Sequence, residues 1–139
     1  MKKSIDFRLG MAVGILSLSA LSALSQTQEI RVFSHRGGRM EHDENTMEAF
    51  VASHKAGYTG YETDIRMTKD GELIVTHDSK LDRTTNGSGA VEEKTLVELR
   101  KLNTKKGNKM ITLDELMDFL KGKPGLYVEF EMKTNPESL

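Results

Sequence analysis

Glu62 and Asp64 stand two residues apart in a stretch, Tyr58 to Asp78, that ends on His77-Asp78. If Tyr61–Met67 is a strand, its alternation puts Glu62, Asp64 and Arg66 on one face. Tyr61, Thr63, Ile65 and Met67 then form the opposite, packing face. Two carboxylates one pleat apart repel each other unless something cationic lies between them, and a divalent ion with oxygen ligands is the usual resolution. His77 follows a tight turn at Lys69-Asp70-Gly71 and a second short strand, bringing a ring that gains or loses a proton near neutral pH. Taken alone, the stretch fits a solvated strand face with an unrelated histidine equally well.

Two further segments carry groups of the same kind. Glu29–Ser34 reads as a strand that runs straight into His35-Arg36-Gly37-Gly38. Two glycines there allow a sharp turn and a close approach of backbone to a ligand. Arg36 offers a fork of donors suited to a phosphate, and His35 a proton. A surface turn with two solvated bases is the plainer reading of those four residues. Leu126–Met132 alternates strictly, with Leu126, Val128, Phe130 and Met132 on one face and Tyr127, Glu129, Glu131 and Lys133 on the other. His42 and His54 have no patterned partners and read as structural or surface residues.

The elements that must position these groups follow from local signals. Asn45 with Glu48 predicts an N-cap for a helix carrying Met47, Phe50, Val51 and His54, closed by Gly57. Thr95 with Glu98 predicts a capping box for a short helix through Leu96, Leu99 and Leu102. Thr112 with Glu115 predicts another, for a helix from Leu113 to Lys121 stopped by Gly122 and Pro124-Gly125. Lys80–Ala90 is rich in turn residues and reads as a loop or small excursion rather than a core element. Strands separated by helices imply an α/β fold with a parallel sheet, whose chemistry collects at the carboxyl ends of its strands. All three polar segments run toward such ends.

Composition is that of an ordinary globular domain: 139 residues, 37% hydrophobic, 29% charged, net charge −1. The near-neutral balance argues for neither nucleic acid nor an anionic membrane surface as partner. With no cysteine, a disulfide framework and a thiolate metal site are both excluded. Residues 1–25 have the anatomy of a secretory signal peptide. Lys2, Lys3 and Arg8 precede an apolar run from Leu9 to Leu24, and small residues lead to a cut before Gln26. That run is diluted by serine and glycine, so the expectation is an exported domain, 26–139, with no stable membrane insertion after cleavage.

With these residues assembled, the chain resembles the glycerophosphodiester phosphodiesterase family from Phe33 to Lys133. The stretches that carry the resemblance are His35-Arg36-Gly37, Glu44-Asn45-Thr46 with Ala49-Phe50, Glu62-x-Asp64, Thr68-Lys69-Asp70-Gly71, His77-Asp78, Arg83-Thr84-Thr85-x-Gly87 and Glu129-x-Glu131-x-Lys133. Each is weak alone; in the family's order and spacing they are specific. Asp43 stands where the family often has proline.

The resemblance implies a TIM-barrel-like fold of the phospholipase C-like phosphodiesterase type. It also implies hydrolysis of a small glycerophosphodiester to glycerol 3-phosphate and an alcohol, in a periplasmic or secreted protein. By the same resemblance Glu62, Asp64 and Glu131 hold one divalent cation, Ca2+ rather than Mg2+ for an exported member. His35 and His77 form the acid–base pair, Arg36 binds the phosphate, Lys133 faces the same anion and Glu44 supports the first loop. Glu129 ranks as an outer support or alternative ligand.

A barrel of this kind has eight strands in about 250 residues. Only about three barrel strands fit before Leu139, so the expectation is the amino-terminal part of a longer enzyme. A phospholipase on the same scaffold, or a module that binds metal or glycerophosphodiester without turnover, are the competing readings.

Overall fold

A computed structural model of the chain describes residues 30–134. The expected leader, 1–25, lies outside them. No helix among the described residues is long and apolar enough to cross a membrane.

The centre of the sheet is β2, Gly60–Met67. It pairs in parallel with β1, Phe33–His35, and along its other edge in parallel with β4, Tyr127–Met132. Past the end of β1 it pairs with β3, Leu73–Val75, in an antiparallel hairpin closed by the Thr68–Gly71 turn. Alternation sets the two faces as expected. Tyr61 and Ile65 are fully buried in a core with Phe50 of α1 (Met47–Lys55) and Leu116 of α3 (Leu113–Leu120). The Phe50 and Tyr61 rings meet edge to face at 6.0 Å. The other face of β2 carries Gly60, Glu62 and Asp64. Gly60 must lack a side chain, because a Cβ there would lie 2.7 Å from the Val32 carbonyl oxygen.

Residues 80–90 form no helix or strand, as expected of a loop, but they are not an excursion from the core: Leu81 is buried in it, and the whole segment 76–110 packs around that core. Leu81 and Val91, the latter opening a single 3₁₀ turn, join Ile74, Leu99 and Met110 in a second core. Gly87 lets Leu102 approach: a Cβ on it would stand 2.5 Å from a Leu102 methyl carbon. A segment with its own core is rigid enough to aim a side chain, which an unsupported loop is not.

The local signals hold in three helices with two corrections. Both expected capping boxes form, Thr95 with Glu98 on α2 (Leu96–Leu99) and Thr112 with Glu115 on α3. The α2 helix stops at Leu99, earlier than its pattern suggested, and Leu102 packs from beyond it. On α1 the N-cap is Thr46, whose hydroxyl accepts from the Ala49 amide, and not Asn45. Asn45 instead takes a left-handed backbone, φ 58°, and spends its side chain elsewhere. Gly57 ends the helix with φ 88°, as expected.

The first strand is shorter than Glu29–Ser34 suggested, and Ile30 and Val32 are exposed. The expected apolar face of β4 is half covered. Val128 packs on the core, whereas Phe130 and Met132 are exposed. The sheet is open: among the described residues the outer edges of β1 and β4 pair with no strand.

Candidate functional site

The site gathers where the three parallel strands end. In register, His35 lies beside Glu62, Glu62 beside Glu129, and Asp64 beside Glu131. Carboxylate oxygens of Glu62, Asp64 and Glu131 all lie within 4.8 Å of one another, spaced for one shared cation. Glu129 is one pleat below Glu131 and is not among the three. The trio spans the full range of burial, with Asp64 1% exposed, Glu62 intermediate and Glu131 exposed.

Asp64 is held from several sides. Asn45 Nδ2 donates to its Oδ2 at 3.1 Å, and Thr63 Oγ1 donates to Asn45 Oδ1, fixing the amide. Arg36 Nε faces the same Oδ2 at 3.3 Å, and Lys133 Nζ lies 3.6 Å from Oδ1. Oδ1 is buried and has no hydrogen-bond partner among the described residues. A buried carboxylate oxygen left in that state is expensive unless something binds it. Lys133 also sits 2.5 Å from Glu131 Oε1. That hydrogen bond pulls Glu131 below the ordinary carboxylate value; a slight loss of hydration opposes it, and the charges of Lys133, His77 and Arg36 add to it. Lys133 is raised correspondingly, first by its bond to Glu131.

Arg36 is buried and adopts φ 53°, a backbone region unfavourable for a side chain of this type. Its amide donates to the Glu62 carbonyl at 2.9 Å and approaches Glu62 Oε2 at 3.2 Å, which holds the strained turn in place. His35 Nε2 lies 3.5 Å from the same Oε2, with half its side chain in solvent. Arg36 Nη1 donates to Glu44 Oε1 at 3.1 Å, which ties the first loop to Glu44.

His77 enters from beyond β3. The Thr76 amide donates to the Asp64 carbonyl, and Arg66 Nε donates to the His77 carbonyl at 3.0 Å while its Nη1 reaches Glu92 and the Lys133 carbonyl. His77 Nδ1 is 2.7 Å from Asp78 Oδ1. Hydrogen bonds from Arg83 hold Asp78 far below the ordinary carboxylate range, against its partial burial and with help from His77. An ionised Asp78 can only accept, so Nδ1 of His77 carries the hydrogen and Nε2 is left to react. For Glu44, burial raises the pKa, and bonds and charge from Arg83 and then Arg36 outweigh it and lower the value.

The sign for stability follows from those two depressed carboxylates. Their contribution is present above about pH 4, where an unfolded carboxylate ionises, and is lost as pH falls through the lower folded values. The melting temperature should therefore fall on acidification below about pH 4. Asp78→Asn should flatten part of that fall in a pH series of thermal melts; an identical acid slope would mean the pair is not linked to stability.

The structure thus brings together His35, Arg36, Glu44, Glu62, Asp64, His77, Glu131 and Lys133. His54 accepts or donates at Tyr61 Oη (3.3 Å) and stacks edge-on with Phe119, a structural role as expected. Asn45, Arg66 and Arg83 were missed as parts of the site. Asn45 has the local look of a cap, and the contacts of Arg66 and Arg83 reach as far as 67 and 39 positions away, beyond any local pattern. Arg83 was present only inside a matched stretch.

Comparison with known proteins points one way. The sequence pattern of the glycerophosphoryl diester phosphodiesterase family matches residues 35–139. A glycerophosphodiester phosphodiesterase of Caldanaerobacter subterraneus subsp. tengcongensis is 39% identical over 110 residues, which cover 74% of this chain and 45% of that protein. The crystal structure of a glycerophosphodiester phosphodiesterase from Agrobacterium tumefaciens superimposes with a TM-score of 0.67 at 34% identity, covering 73% of this chain and 47% of the other. A phosphodiesterase from Oleispira antarctica, in complex with the product sn-glycerol-3-phosphate, does so with a TM-score of 0.72 at 26% identity, covering 78% and 46%. The chain spans less than half the length of these relatives. The fold they share with it is TIM-barrel-like, and the described residues form an open part of it.

Proposed function

The chain belongs to the glycerophosphoryl diester phosphodiesterase family, and from that premise we propose that the full protein hydrolyses a small glycerophosphodiester to glycerol 3-phosphate and an alcohol. The observation that carries this reading is the convergence of Glu62, Asp64 and Glu131 within 4.8 Å, beside Arg36 and His35.

A divalent cation fits that trio: all three donors are hard oxygens, and the buried Asp64 Oδ1 makes no hydrogen bond, with the Lys133 ammonium standing off at 3.6 Å. When bound, it supplies charge neutralisation and polarisation of the phosphoryl oxygens. We assign calcium in preference to magnesium, because three carboxylates from two strands suit a larger, flexibly coordinated ion. The signal-peptide-like composition of residues 1–25 favours a periplasmic or secreted location, where calcium is plentiful.

The chain's own residues account for the rest of the reaction. Arg36 and Lys133 flank the acidic trio with positive charge, which draws in the phosphodiester anion and lowers the cost of bringing a nucleophile to it. The glycerol hydroxyl next to the ester attacks phosphorus; one histidine takes its proton while the other protonates the leaving alcohol oxygen as that P–O bond breaks. Water then opens the cyclic phosphate with the histidines in reversed roles, giving glycerol 3-phosphate. His77 suits either role because its ring is fixed by Asp78 with Nε2 free.

The test is turnover of glycerophosphocholine by the full protein with calcium, read as glycerol 3-phosphate and compared with intact phosphatidylcholine. Turnover that a chelator abolishes supports the proposal. Preference for intact lipid would make it a phospholipase, and binding without turnover a ligand-binding module.

A further inference from the structure

We propose that Arg83 is a positioning residue that locks the two halves of the site together, tying the His77–Asp78 pair to the Arg36–Glu44 pair through one guanidinium. The inference rests on the hydrolase reading given above and adds to it a residue that acts through others.

Arg83 lies in the 76–110 segment and spends four of its five N–H donors on two carboxylates. Its Nε donates to Asp78 Oδ2 at 2.6 Å and its Nη2 to Asp78 Oδ1 at 3.0 Å. Its Nη1 donates to Glu44 Oε2 at 2.9 Å and its Nη2 again to Glu44 Oε1 at 2.6 Å. The oxygens chosen matter. Asp78 Oδ1 is also the partner of His77 Nδ1, and Glu44 Oε1 is also the acceptor of Arg36 Nη1. Each functional side chain is therefore one atom removed from Arg83. The path runs His77, Asp78, Arg83, Glu44, Arg36, and on to Asp64.

This link joins distant parts of the chain: Glu44 leads into α1, whereas Asp78 follows β3, and 39 residues separate Glu44 from Arg83. Thr104 and the Lys106 amide, which donate to Asp43, tie the same two segments beside it but touch neither Glu44 nor Asp78. A planar fork can meet two carboxylates with paired, parallel donors at once, whereas a lysine ammonium offers its donors from a single atom and cannot keep both paired contacts. The side chain of Arg83 is 52% exposed, and ion pairs so exposed contribute little to stability. A network this complete at so exposed a residue is better explained by orientation than by stability, since a misplacement of about 1 Å in a reacting group costs about a hundredfold in rate.

The experiment compares Arg83→Met and Arg83→Lys with the unmutated full protein. Arg83→Met should lower kcat about a hundredfold while the melting temperature moves by only a few degrees, as for an exposed pair. Arg83→Lys should recover little of that loss. Adding Asp78→Asn or Glu44→Gln to Arg83→Met should cost much less than either does alone, because the shared path is already broken. Independently of turnover, nitrogen NMR of His77 should show the Nδ1–H form in the unmutated protein and a rise of the Nε2–H form in Arg83→Met.

Wild-type turnover in Arg83→Met, full rescue by lysine, or additive double variants would each overturn the inference. So would an unchanged His77 tautomer. If the unmutated protein turns over no glycerophosphodiester, the hydrolase reading fails by itself, and the NMR comparison still decides whether Arg83 positions His77.

Discussion

Replacing His77 by alanine should lower turnover about a thousandfold, the central value for loss of a general acid or base, while leaving calcium affinity unchanged. The reasoning is one of geometry. His77 is no member of the acidic trio, so its removal deletes no ligand oxygen. Its backbone is held without its ring, by Arg66 on its carbonyl and by the Thr76 amide on Asp64, so the trio keeps its shape. On the mechanism proposed above, what is lost is a nitrogen held by Asp78 where it can move a proton. The loss should fall on kcat, with KM little changed, because the ring acts on a proton in flight rather than on the bound phosphate. Calcium titration by calorimetry alongside steady-state kinetics checks both halves. Turnover within tenfold of the unmutated protein would remove His77 from the acid–base pair, and a lost calcium isotherm would mean it belongs to the cation site instead.

What was legible in the sequence depended on how far each residue reaches. The faces of β2 could be read because alternation is a property of adjacent residues, and Tyr61 and Ile65 are buried where that pattern put them. The capping boxes at Thr95 and Thr112 close within four residues, and both form. Asn45 shows the same logic failing. Asparagine before a helix is a good cap by local rules, but Asp64, 19 residues on, competes for its amide and a buried carboxylate wins. Thr46 then takes over the cap one position later. The loop character of residues 80–90 is legible in Asn86-Gly87 and Ser88-Gly89, whereas the core around them is hidden. Leu81 and Val91 are single apolar residues with no period, and they find Leu99 and Met110 only in three dimensions. Arg83 was the least legible of all. An arginine in a turn-rich stretch looks solvated, and half of its side chain is, yet its donors are committed to partners 5 and 39 residues away.

Asp64→Asn should abolish the calcium-induced rise in melting temperature and lower turnover at least a thousandfold, as loss of electrostatic stabilisation at the reacting phosphate would. It should also weaken the calcium-free protein by about 2 kcal/mol, the usual cost of stranding a buried charged partner. Unlike its exposed neighbour Glu131, Asp64 is packed beneath Arg36, Asn45 and Lys133. Asparagine keeps the shape and removes one charge and one acceptor. Whichever way its amide is turned, an NH2 group faces donors: Asn45 Nδ2 and Arg36 Nε on one side, Lys133 Nζ on the other. Arg36 would then keep Glu44 as its one carboxylate partner. A ligand at a hundred times its Kd stabilises the folded state by about 2.7 kcal/mol, so the unmutated protein should show a clear upward shift in saturating calcium and the variant none. Glu131→Gln is the control that separates the two effects: it should weaken calcium binding and leave the calcium-free melting temperature unmoved, because Glu131 is exposed. A full calcium shift in Asp64→Asn would dismiss the trio as a cation site. An unaltered calcium-free melting temperature would mean that Arg36 does not depend on Asp64 for its buried position.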